Sequence, residues 1–240
     1  MLVAADVGYG FTKAAAQDGR RLMFPSAVAA AAGSGELAAA LGARLSEHVV
    51  QIQGLDGDSR RYLVGEAAVR AGASRTWSDA SSRRDYAVLV LTAAYLLGAD
   101  GQAGLMVGLP LSAYIRRAER RALRDALAGH GAWVSVDGQD ARYVEFTGVT
   151  VAPQALTAYL TALRTDPGLA GAEVGVIDIG YRTTDLSLLV PGADGAAVPD
   201  EGRSGSLDVG YHAVVDSVRR AVAERAAALE VPERHVEHGA

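Results

Sequence analysis

The sequence predicts an α/β protein of two lobes, each built on a mixed β-sheet flanked by helices. Strand-like apolar segments alternate with segments of helical periodicity along the chain, which is typical of this class. A strand–turn–strand pattern with an aspartate at the end of its first strand occurs twice, at Asp6 and at Asp178. The 240 residues, 50% of them apolar, suffice for one large domain or two smaller ones.

The composition excludes several classes of protein. The net charge of −5 argues against a protein that coats duplex DNA, because nonspecific DNA affinity comes from basic residues that neutralise phosphates. The chain has no cysteine, which excludes disulfide scaffolds, cysteine nucleophiles and zinc–thiolate sites. The longest apolar run, from Ala87 to Ala99, is too short to span a bilayer, and no basic region precedes an apolar stretch at the amino terminus. These features predict a cytoplasmic protein that does not contact a membrane.

The chain opens with a predicted three-stranded meander, in which Asp18-Gly19 is a strong hairpin signal. This opening differs from the strand-to-helix step of a dinucleotide-binding unit. The predicted strands are Leu2 to Val7, Phe11 to Gln17 and Arg21 to Phe24. A second hairpin is predicted around Asp56-Gly57, between a strand from His48 to Gly54 and a strand from Arg61 to Val64.

Helical periodicity from Arg83 to Leu97 precedes a predicted buried strand from Gly104 to Leu109. An amphipathic helix is predicted from Ala113 to Gly129, and its exposed side carries five arginines between Arg116 and Arg124. This arginine stripe is either a surface for DNA or a neighbouring subunit, or, more commonly, a solvated helix face. The strands predicted to follow are Ala132 to Val136 and Tyr143 to Thr150.

A strand pair in the second half resembles the opening of the chain. Pro153 suits the first turn of a helix, and Asp166-Pro167-Gly168 ends that helix. The predicted strands Val174 to Asp178 and Thr184 to Val190 then enclose a glycine-centred turn. A long helix is predicted from Asp208 to Leu229. We expect its apolar face to have few partners, notably at Val214, Val218 and Val222.

The two turns share one pattern of residues. The first reads Asp-Val-Gly-Tyr-Gly-Phe-Thr-Lys over 6–13, and the second reads Asp-Ile-Gly-Tyr-Arg-Thr-Thr-Asp over 178–185. Glycine lets the backbone approach phosphate oxygens, and the hydroxyls of Thr12, Thr183 and Thr184 offer further donors. An aspartate beside each turn suits Mg²⁺, which keeps most of its water shell. The pattern predicts a site for a nucleoside triphosphate with a metal ion.

Each turn alone is also compatible with an ordinary hairpin, because aspartate and glycine are common in turns. Two copies, each on a strand–turn–strand unit, favour phosphate binding instead. Lys13 strengthens this interpretation, because it is the only lysine among the 23 lysines and arginines of the chain and lies in the first turn pattern. Its charge is suited to the transferring phosphate.

These motifs resemble those of the superfamily that contains actin, Hsp70 and the sugar kinases. Within it, the chain is most similar to the bacterial actin-like plasmid-segregation proteins of the ParM and StbA type. The resemblance is carried by ADVGYGFTK at 5–13, YLVGEAA at 62–68, VGLPLS at 107–112, VTVAPQALTAYL at 149–160, VIDIGYRTTDLSLL at 176–189 and GSLDVGYHAVVDSV at 205–218. It implies an actin-like, ribonuclease H-like fold. Domain I would comprise residues 1–150 with a small inserted subdomain near 25–75, and residues 151–240 would comprise a connecting helix and the first part of domain II.

The resemblance also implies roles for the motif residues. Asp6 and Asp178 would hold Mg²⁺ through water, and Lys13 would contact the β- and γ-phosphates. Gln154 would orient the attacking water, so the implied catalytic residues are Lys13, Gln154 and Asp178. The implied nucleotide-binding residues are Asp6, Gly8, Tyr9, Gly10, Phe11, Thr12, Lys13, Asp178, Gly180, Tyr181, Arg182, Thr183, Thr184 and Asp185. The implied cofactors are ATP or GTP, with Mg²⁺.

The sequence departs from the family pattern in two places. Tyr181-Arg182 replaces a small pair on the γ-phosphate side of the second turn. The glycine-rich adenosine motif that family members carry after the long helix does not appear, so we expect the second lobe to be incomplete and truncated. We therefore expect ATP hydrolysis from a complete member of the family and less than full activity from a chain of 240 residues.

The resemblance implies a filament-forming ATPase that segregates plasmid DNA. Its partners would be further copies of itself and a DNA-binding adaptor on the plasmid, with no direct contact to nucleic acid. Two alternatives stay open. One is a small-molecule kinase of the same fold, which would need an additional carboxylate base near the γ-phosphate. The other is a non-enzymatic remnant that keeps the phosphate turns but does not hold adenosine.

Overall fold

The computed structural model describes residues 1–31, 47–54, 58–73, 82–129 and 131–228. These residues form two β-sheets and the helices that flank them. The strands of the first sheet are β1 (Leu2–Val7), β2 (Phe11–Ala16), β3 (Arg21–Pro25), β4 (Val28–Ala30), β5 (Glu47–Gln53), β6 (Ser59–Gly65), β7 (Gly101–Leu109), β8 (Gly131–Val136) and β9 (Arg142–Pro153). Those of the second sheet are β10 (Val174–Ile179), β11 (Thr184–Pro191), β12 (Ala197–Pro199) and β13 (Gly205–Leu207).

The helices connect and cover these sheets. They are α1 (Glu66–Arg70), α2 (Ser82–Leu96), α3 (Leu111–Tyr114), α4 (Arg117–Leu127), α5 (Gln154–Leu163) and α6 (Tyr211–Ala228), with 3₁₀ turns at Pro167–Leu169 and Glu201–Arg203. None of the helices within the described ranges is long and apolar enough to cross a membrane.

The first sheet is mixed, in the order β3-β2-β1-β7-β9-β8-β5-β6-β4. The meander predicted for the opening of the chain is confirmed, because β1 pairs antiparallel with β2, and β2 with β3. Strand β7 joins parallel to β1, and β9 joins parallel to β7, so the ends of β1 and β9 lie at the same edge. This arrangement brings Asp6 and Gln154 together although 148 residues separate them.

The core of the first lobe lies between one face of the first sheet and α2. The alternating strand residues that face inward are buried, among them Val3, Ala5, Leu105 and Val107. Helix α2 is buried over most of its circumference, which agrees with the helical periodicity read from the sequence. Burial of each large apolar side chain contributes about 1.5–3 kcal/mol, so this layer holds β1 and β2 firmly in place.

The second sheet follows the order β10-β11-β12, and β13 pairs with β11. Far fewer of its apolar side chains are buried. Leu189 is fully buried, whereas Ile177 and Ile179 are 68% and 69% exposed. The expectation for the long helix is confirmed, since Val214, Val218 and Val222 all keep a large exposed fraction.

Several element boundaries differ from the sequence prediction. The helix predicted from Ala113 to Gly129 is two helices, because the backbone at Arg116 is extended (ψ 92°) and separates α3 from α4. Pro153 ends β9 rather than beginning a helix, and α5 starts at Gln154. The predicted turn at Asp56-Gly57 lies outside the described residues, whereas the flanking strands β5 and β6 are paired as predicted. The domain division at residue 150 and the inserted subdomain near 25–75 stay predictions.

Candidate functional site

A cleft of about 630 Å³ opens between the outer face of the first sheet, α5 and β10. The side chains of Asp6, Lys13, Gln154 and Asp178, all predicted from the sequence, line this one cleft. They come from four different elements or their ends, so the fold of both lobes is needed to assemble them. Other lining residues include Arg21, Met106, Gly108, Ala152, Thr157, Thr161 and Ile177.

Asp6 has a direct contact with each of two predicted site residues. The Gln154 Nε2 atom donates a hydrogen bond to Asp6 Oδ1 at 2.6 Å. The Lys13 Nζ atom lies 3.8 Å from Asp6 Oδ2, because the two residues are cross-strand neighbours in the β1–β2 pair. The Lys13 side chain is 63% exposed, so its ammonium group remains accessible from the cleft.

Burial raises the pKa of the Asp6 carboxyl above its usual range. The Gln154 hydrogen bond and the charge of Lys13 act in the opposite direction, while the negative charge of Asp178 adds to the increase. The carboxylates of Asp6 and Asp178 thus line one cleft and disfavour each other's negative charge. A divalent cation held by both would relieve this repulsion.

The two turns predicted from the sequence have the same backbone geometry. Asp6 pairs with Lys13 across the first hairpin, and Asp178 pairs with Asp185 at the equivalent position of the second. In the first turn the Gly8 N–H donates to the Phe11 carbonyl at 3.1 Å. In the second, the Gly180 N–H donates to the Thr183 carbonyl at 2.8 Å. A Cβ atom at either glycine would lie within 3.3 Å of that carbonyl oxygen, which explains the glycine at both positions.

The tips of the two turns touch each other. A Cβ atom on Gly10 would lie 2.7 Å from the Cβ of Tyr181, so only glycine allows this close approach. Beside this contact, the guanidinium carbon of Arg182 lies 5.4 Å from the centre of the Tyr9 ring, a cation–π arrangement. Arg182 Nε also donates to Asp208 Oδ1 at 3.1 Å. The tip of the first turn is therefore in contact with the second lobe.

The segment before α6 packs against the second turn. A Cβ atom on Gly210 would lie 2.5–2.7 Å from backbone atoms of residues 180–182. The N–H groups of Tyr211 and His212 donate to the carbonyls of Gly180 and Tyr181. Neither Asp208 nor Gly210 is among the site residues predicted from the sequence. The sequence feature that could have identified them is the GSLDVGYH segment, whose second glycine follows a strand and precedes a helix.

The predicted hydroxyl donors are engaged elsewhere. Thr12 is fully buried on the core face of β2, and its hydroxyl shares a hydrogen bond of 2.9 Å with that of Ser26. The Thr183 hydroxyl donates to Asp185 Oδ2 at 3.2 Å. The Thr184 hydroxyl donates to the Val209 carbonyl at 2.7 Å. In this structure the Thr12 hydroxyl is therefore held in the core, and those of Thr183 and Thr184 stabilise the second turn and its contact with residue 209.

Gly108 is a further site residue that the sequence analysis did not single out. A Cβ atom at this position would lie 3.0 Å from Gln154 Cγ and 3.8 Å from Asp6 Oδ1. A larger residue would thus displace Gln154 from Asp6. The sequence feature that could have identified Gly108 is the VGLPLS segment, in which Gly108 precedes Leu109 and Pro110.

The arginine stripe is largely paired within its own helix region. Arg116 contacts Glu119 at 2.8 Å, Arg124 contacts Asp125 at 2.9 Å, and the Arg120 guanidinium lies over the Tyr114 ring. These contacts favour the solvated-face interpretation. Among the described residues, no group of three or more histidine, aspartate and glutamate side chains is placed to hold a metal ion.

Comparisons with known proteins agree with this geometry. A family model described as the actin-like protein N-terminal domain matches residues 4–156. The solved ParM filament from Clostridium botulinum is 23% identical with a TM-score of 0.77, and the match covers 94% of this chain and 69% of that chain. Ta0583, an archaeal actin homologue, is 23% identical with a TM-score of 0.74, covering 98% of this chain and 70% of that chain.

Two further structures extend this set. The complex of Ta0583 with ADP matches at 21% identity and a TM-score of 0.70, covering 94% of this chain and 66% of that chain. The filament of AlfA from B. subtilis plasmid pLS32 matches at 14% identity and a TM-score of 0.58, covering 94% of this chain and 78% of that chain. No curated protein matches the sequence. At these identities the structural matches establish the fold, and the predicted actin-like architecture is confirmed.

Proposed function

The chain belongs to the family of actin-like proteins, and on this premise we propose that it is a filament-forming actin-like ATPase that segregates plasmid DNA. The observation that carries the proposal is the convergence of Asp6, Lys13, Gln154 and Asp178 on one cleft between two turns of equal geometry. A cation, two carboxylates and an amide form a suitable set for a phosphate, its metal ion and an attacking water.

The residues present fit a Mg²⁺–nucleotide. Asp6 and Asp178 supply hard oxygen ligands to one cleft, and the charge of Asp178 disfavours a second negative charge at Asp6, which a divalent cation would relieve. Because two carboxylates do not complete an octahedral shell, they would hold Mg²⁺ through water and with phosphate oxygens. When bound, Mg²⁺–ATP supplies the phosphoryl group that is cleaved; GTP is the alternative nucleotide.

Gln154 is suited to position water. Its Nε2 donates to Asp6, which fixes the amide plane and leaves the carbonyl oxygen to accept a hydrogen bond from water. A neutral amide does not remove a proton, so Gln154 orients the water rather than acting as a base. Lys13, on the next strand, offers its ammonium group to the phosphate.

The turn residues complete the proposed nucleotide site. Gly8, Gly10 and Gly180 allow the chain to turn tightly and to approach the phosphates. Thr12 anchors β2 to Ser26 through its hydroxyl, and the hydroxyls of Thr183 and Thr184 stabilise the second turn. The remaining members of the proposed site are Tyr9, Phe11, Tyr181, Arg182 and Asp185.

Relatives support the proposed assembly and biological role. The ParM of C. botulinum and AlfA form filaments, AlfA is plasmid-borne, and Ta0583 has been solved with ADP. We propose that this chain likewise associates with copies of itself, in the cytoplasm. A DNA-binding adaptor would link the filament to the plasmid.

Sedimentation and phosphate release with Mg²⁺–ATP test this function. We expect nucleotide-dependent pelleting of the protein and release of phosphate without any added acceptor. Asp178→Ala should abolish the phosphate release. Asp194→Ala is its matched control, because it removes an exposed turn carboxylate away from the cleft. Absence of both pelleting and phosphate release would contradict the proposal. Phosphate transfer that requires an added small-molecule hydroxyl would indicate a kinase instead.

A further inference from the structure

We propose that Ser26 is a positioning residue of the site, which fixes the first turn through two hydrogen bonds and thereby directs Lys13 into the cleft. The inference rests on the proposed function, because the reaction at that site is what the positioning serves. Ser26 follows directly after β3 and lies outside both turn patterns. It is not among the residues that line the cleft, so it acts through its neighbours and not on the nucleotide itself.

Ser26 contacts the first turn through its backbone and through its side chain. Its N–H donates to the Gly10 carbonyl at 3.0 Å, near the tip of the turn. Its hydroxyl oxygen lies 2.9 Å from that of Thr12, and either group is able to donate. Ser26 is 4% exposed and Thr12 is fully buried, so water does not compete for the bond between the hydroxyls. Ser26 therefore holds the turn and the beginning of β2 from the core side.

The backbone on both sides of Ser26 is itself held in place. Pro25 pairs with Phe11 in the ladder between β3 and β2. The Ala27 carbonyl accepts a hydrogen bond from the Gly65 N–H at 3.0 Å, and Ala27 is buried. Ser26 is thus a fixed support for the first turn, and does not follow the movements of the turn.

The alternation of side chains along β2 carries this constraint to the cleft. Thr12 is buried on the core face, and Lys13 points to the opposite face because successive residues of a strand alternate. The Lys13 side chain lines the cleft and is 63% exposed, so few neighbours restrict it. Its position is then set mainly by its own backbone. Whatever fixes Thr12 also fixes the backbone from which Lys13 extends.

A pair of hydroxyls in the core adds direction to this packing. Valine and alanine would occupy the places of Thr12 and Ser26 without any polar group to satisfy, whereas buried hydroxyls are costly unless they are hydrogen-bonded. The hydrogen bond between them fixes how β2 lies relative to the end of β3, which apolar contacts do less strictly. Because a displacement of about 1 Å lowers a catalytic rate by as much as a hundredfold, this constraint matters for Lys13.

Lys13 offers a direct test, because it is the only lysine of the chain and ¹³C-labelled lysine therefore gives a single Cε resonance. We expect Thr12→Val and Ser26→Ala to shift this resonance in the full chain, and Thr12→Ser, which keeps the hydroxyl, to recover most of the shift. Thr92→Val is the matched control. Thr92 is also fully buried, and its hydroxyl donates to the Val88 carbonyl at 2.7 Å within α2, so this variant should leave the resonance in place.

Phosphate release with Mg²⁺–ATP gives the second readout. We expect Thr12→Val and Ser26→Ala to lower kcat by roughly tenfold and to change the dissociation constant of Mg²⁺–ADP by less than about twofold, because a displaced Lys13 affects the transition state more than the ground state. Thr12→Ser should recover most of the loss in kcat. Thr92→Val should lower the melting temperature without lowering kcat.

An unchanged Lys13 resonance in both Thr12→Val and Ser26→Ala would overturn the proposal. Equal shifts in Thr12→Ser or in Thr92→Val would overturn it as well, because the shift would then not depend on the hydroxyl pair. If Ser26→Ala does not fold, the comparison of Thr12→Val with Thr12→Ser decides the question, since valine has the shape of threonine. A wild-type chain that releases no phosphate would refute the proposed function, whereas the resonance would still show whether the hydroxyl pair directs Lys13.

Discussion

The first and second hairpins, β1–β2 and β10–β11, have the same turn geometry in very different surroundings. Both pair an aspartate with the residue seven positions later, and both close with a glycine N–H bonded to a carbonyl three residues on. The first hairpin lies against a buried core, whereas β10 exposes Ile177 and Ile179. The two hairpins therefore share the turn conformation that accompanies the Asp-x-Gly sequence, although one strand pair is buried and the other is largely exposed.

The hairpins differ chemically at one equivalent position. The cross-strand partner of Asp6 is Lys13, whereas the partner of Asp178 is Asp185. The first hairpin thus balances its carboxylate with a cation, and the second accumulates negative charge that an external cation would neutralise. This asymmetry leads us to expect that the second hairpin depends more on the metal ion.

The largest expected effect follows from removing the metal-side carboxylate of the second hairpin. Asp178→Ala should abolish Mg²⁺-dependent turnover, a loss of more than about a hundredfold, because metal stabilisation of transition-state charge amounts to several kcal/mol. Steady-state phosphate release measures it. Turnover within a few-fold of wild type would show that the second hairpin does not hold the ion.

The core beneath the first hairpin should tolerate the truncation of apolar side chains far less well than the second lobe does. Leu105→Ala removes a buried side chain of β7, beside Val3 of β1, and should lower the free energy of unfolding by about 2–5 kcal/mol. Urea denaturation measures this change. A value below about 1 kcal/mol would indicate that the layer between α2 and the sheet is loosely packed.

Gln154→Ala should lower kcat by roughly 10–100-fold and leave the dissociation constant of a non-hydrolysable nucleotide nearly unchanged. The reason is that water positioning matters more in the transition state than in the ground state. Thr165→Ala, just beyond the end of α5, is the matched control. Parallel losses of binding and turnover would contradict the assignment of Gln154 to water.

The pKa of Asp6 predicts a modest dependence of stability on pH. Its native pKa is raised, mainly by burial, so the native state holds this proton more tightly than the unfolded chain does. The free energy of unfolding should therefore fall as the pH rises from the ordinary carboxyl range through the raised pKa. Asp6→Asn removes this contribution and should melt slightly higher than wild type at neutral pH. A lower melting temperature for the variant would contradict the sign of the pKa shift.

The smallest effect is expected on the exposed face of α6. Val218 is 57% exposed, so Val218→Ala should change the free energy of unfolding by no more than about 0.5 kcal/mol. Thermal denaturation at several protein concentrations measures it. A loss above about 1 kcal/mol would show that this face is covered in solution.

Local features of the fold were predictable, and long-range contacts were predictable only in part. The meander, both turns and helix α2 follow from the alternation of apolar and polar residues, from turn residues and from helical spacing. All three are properties of residues close together in the sequence. The division between α3 and α4 was not predicted, because the helical spacing of the arginines continues across Arg116, whereas the backbone at Arg116 is extended and interrupts the helix.

At the site, the cleft residues were identified from the motifs, whereas the contacts between the turn tips were not. The approach of Tyr181 to Gly10 and the placement of Arg182 between Tyr9 and Asp208 depend on how the second sheet docks on the first. No periodicity in the sequence encodes that docking. The same reason explains why Gly108 was overlooked, since its role appears only once Gln154 lies against it.

The most direct test of the two-hairpin site is the melting temperature of the chain with and without Mg²⁺–ATP, compared with the Lys13→Ala and Asp178→Ala variants. A ligand at one hundred times its dissociation constant stabilises the native state by about 2.7 kcal/mol, which corresponds to a rise of roughly 5–10 °C for a protein of this size. We predict such a rise for the wild-type chain and its loss in both variants. A melting temperature that does not respond to Mg²⁺–ATP, or an equal rise in all three proteins, would contradict a site shared by the two hairpins.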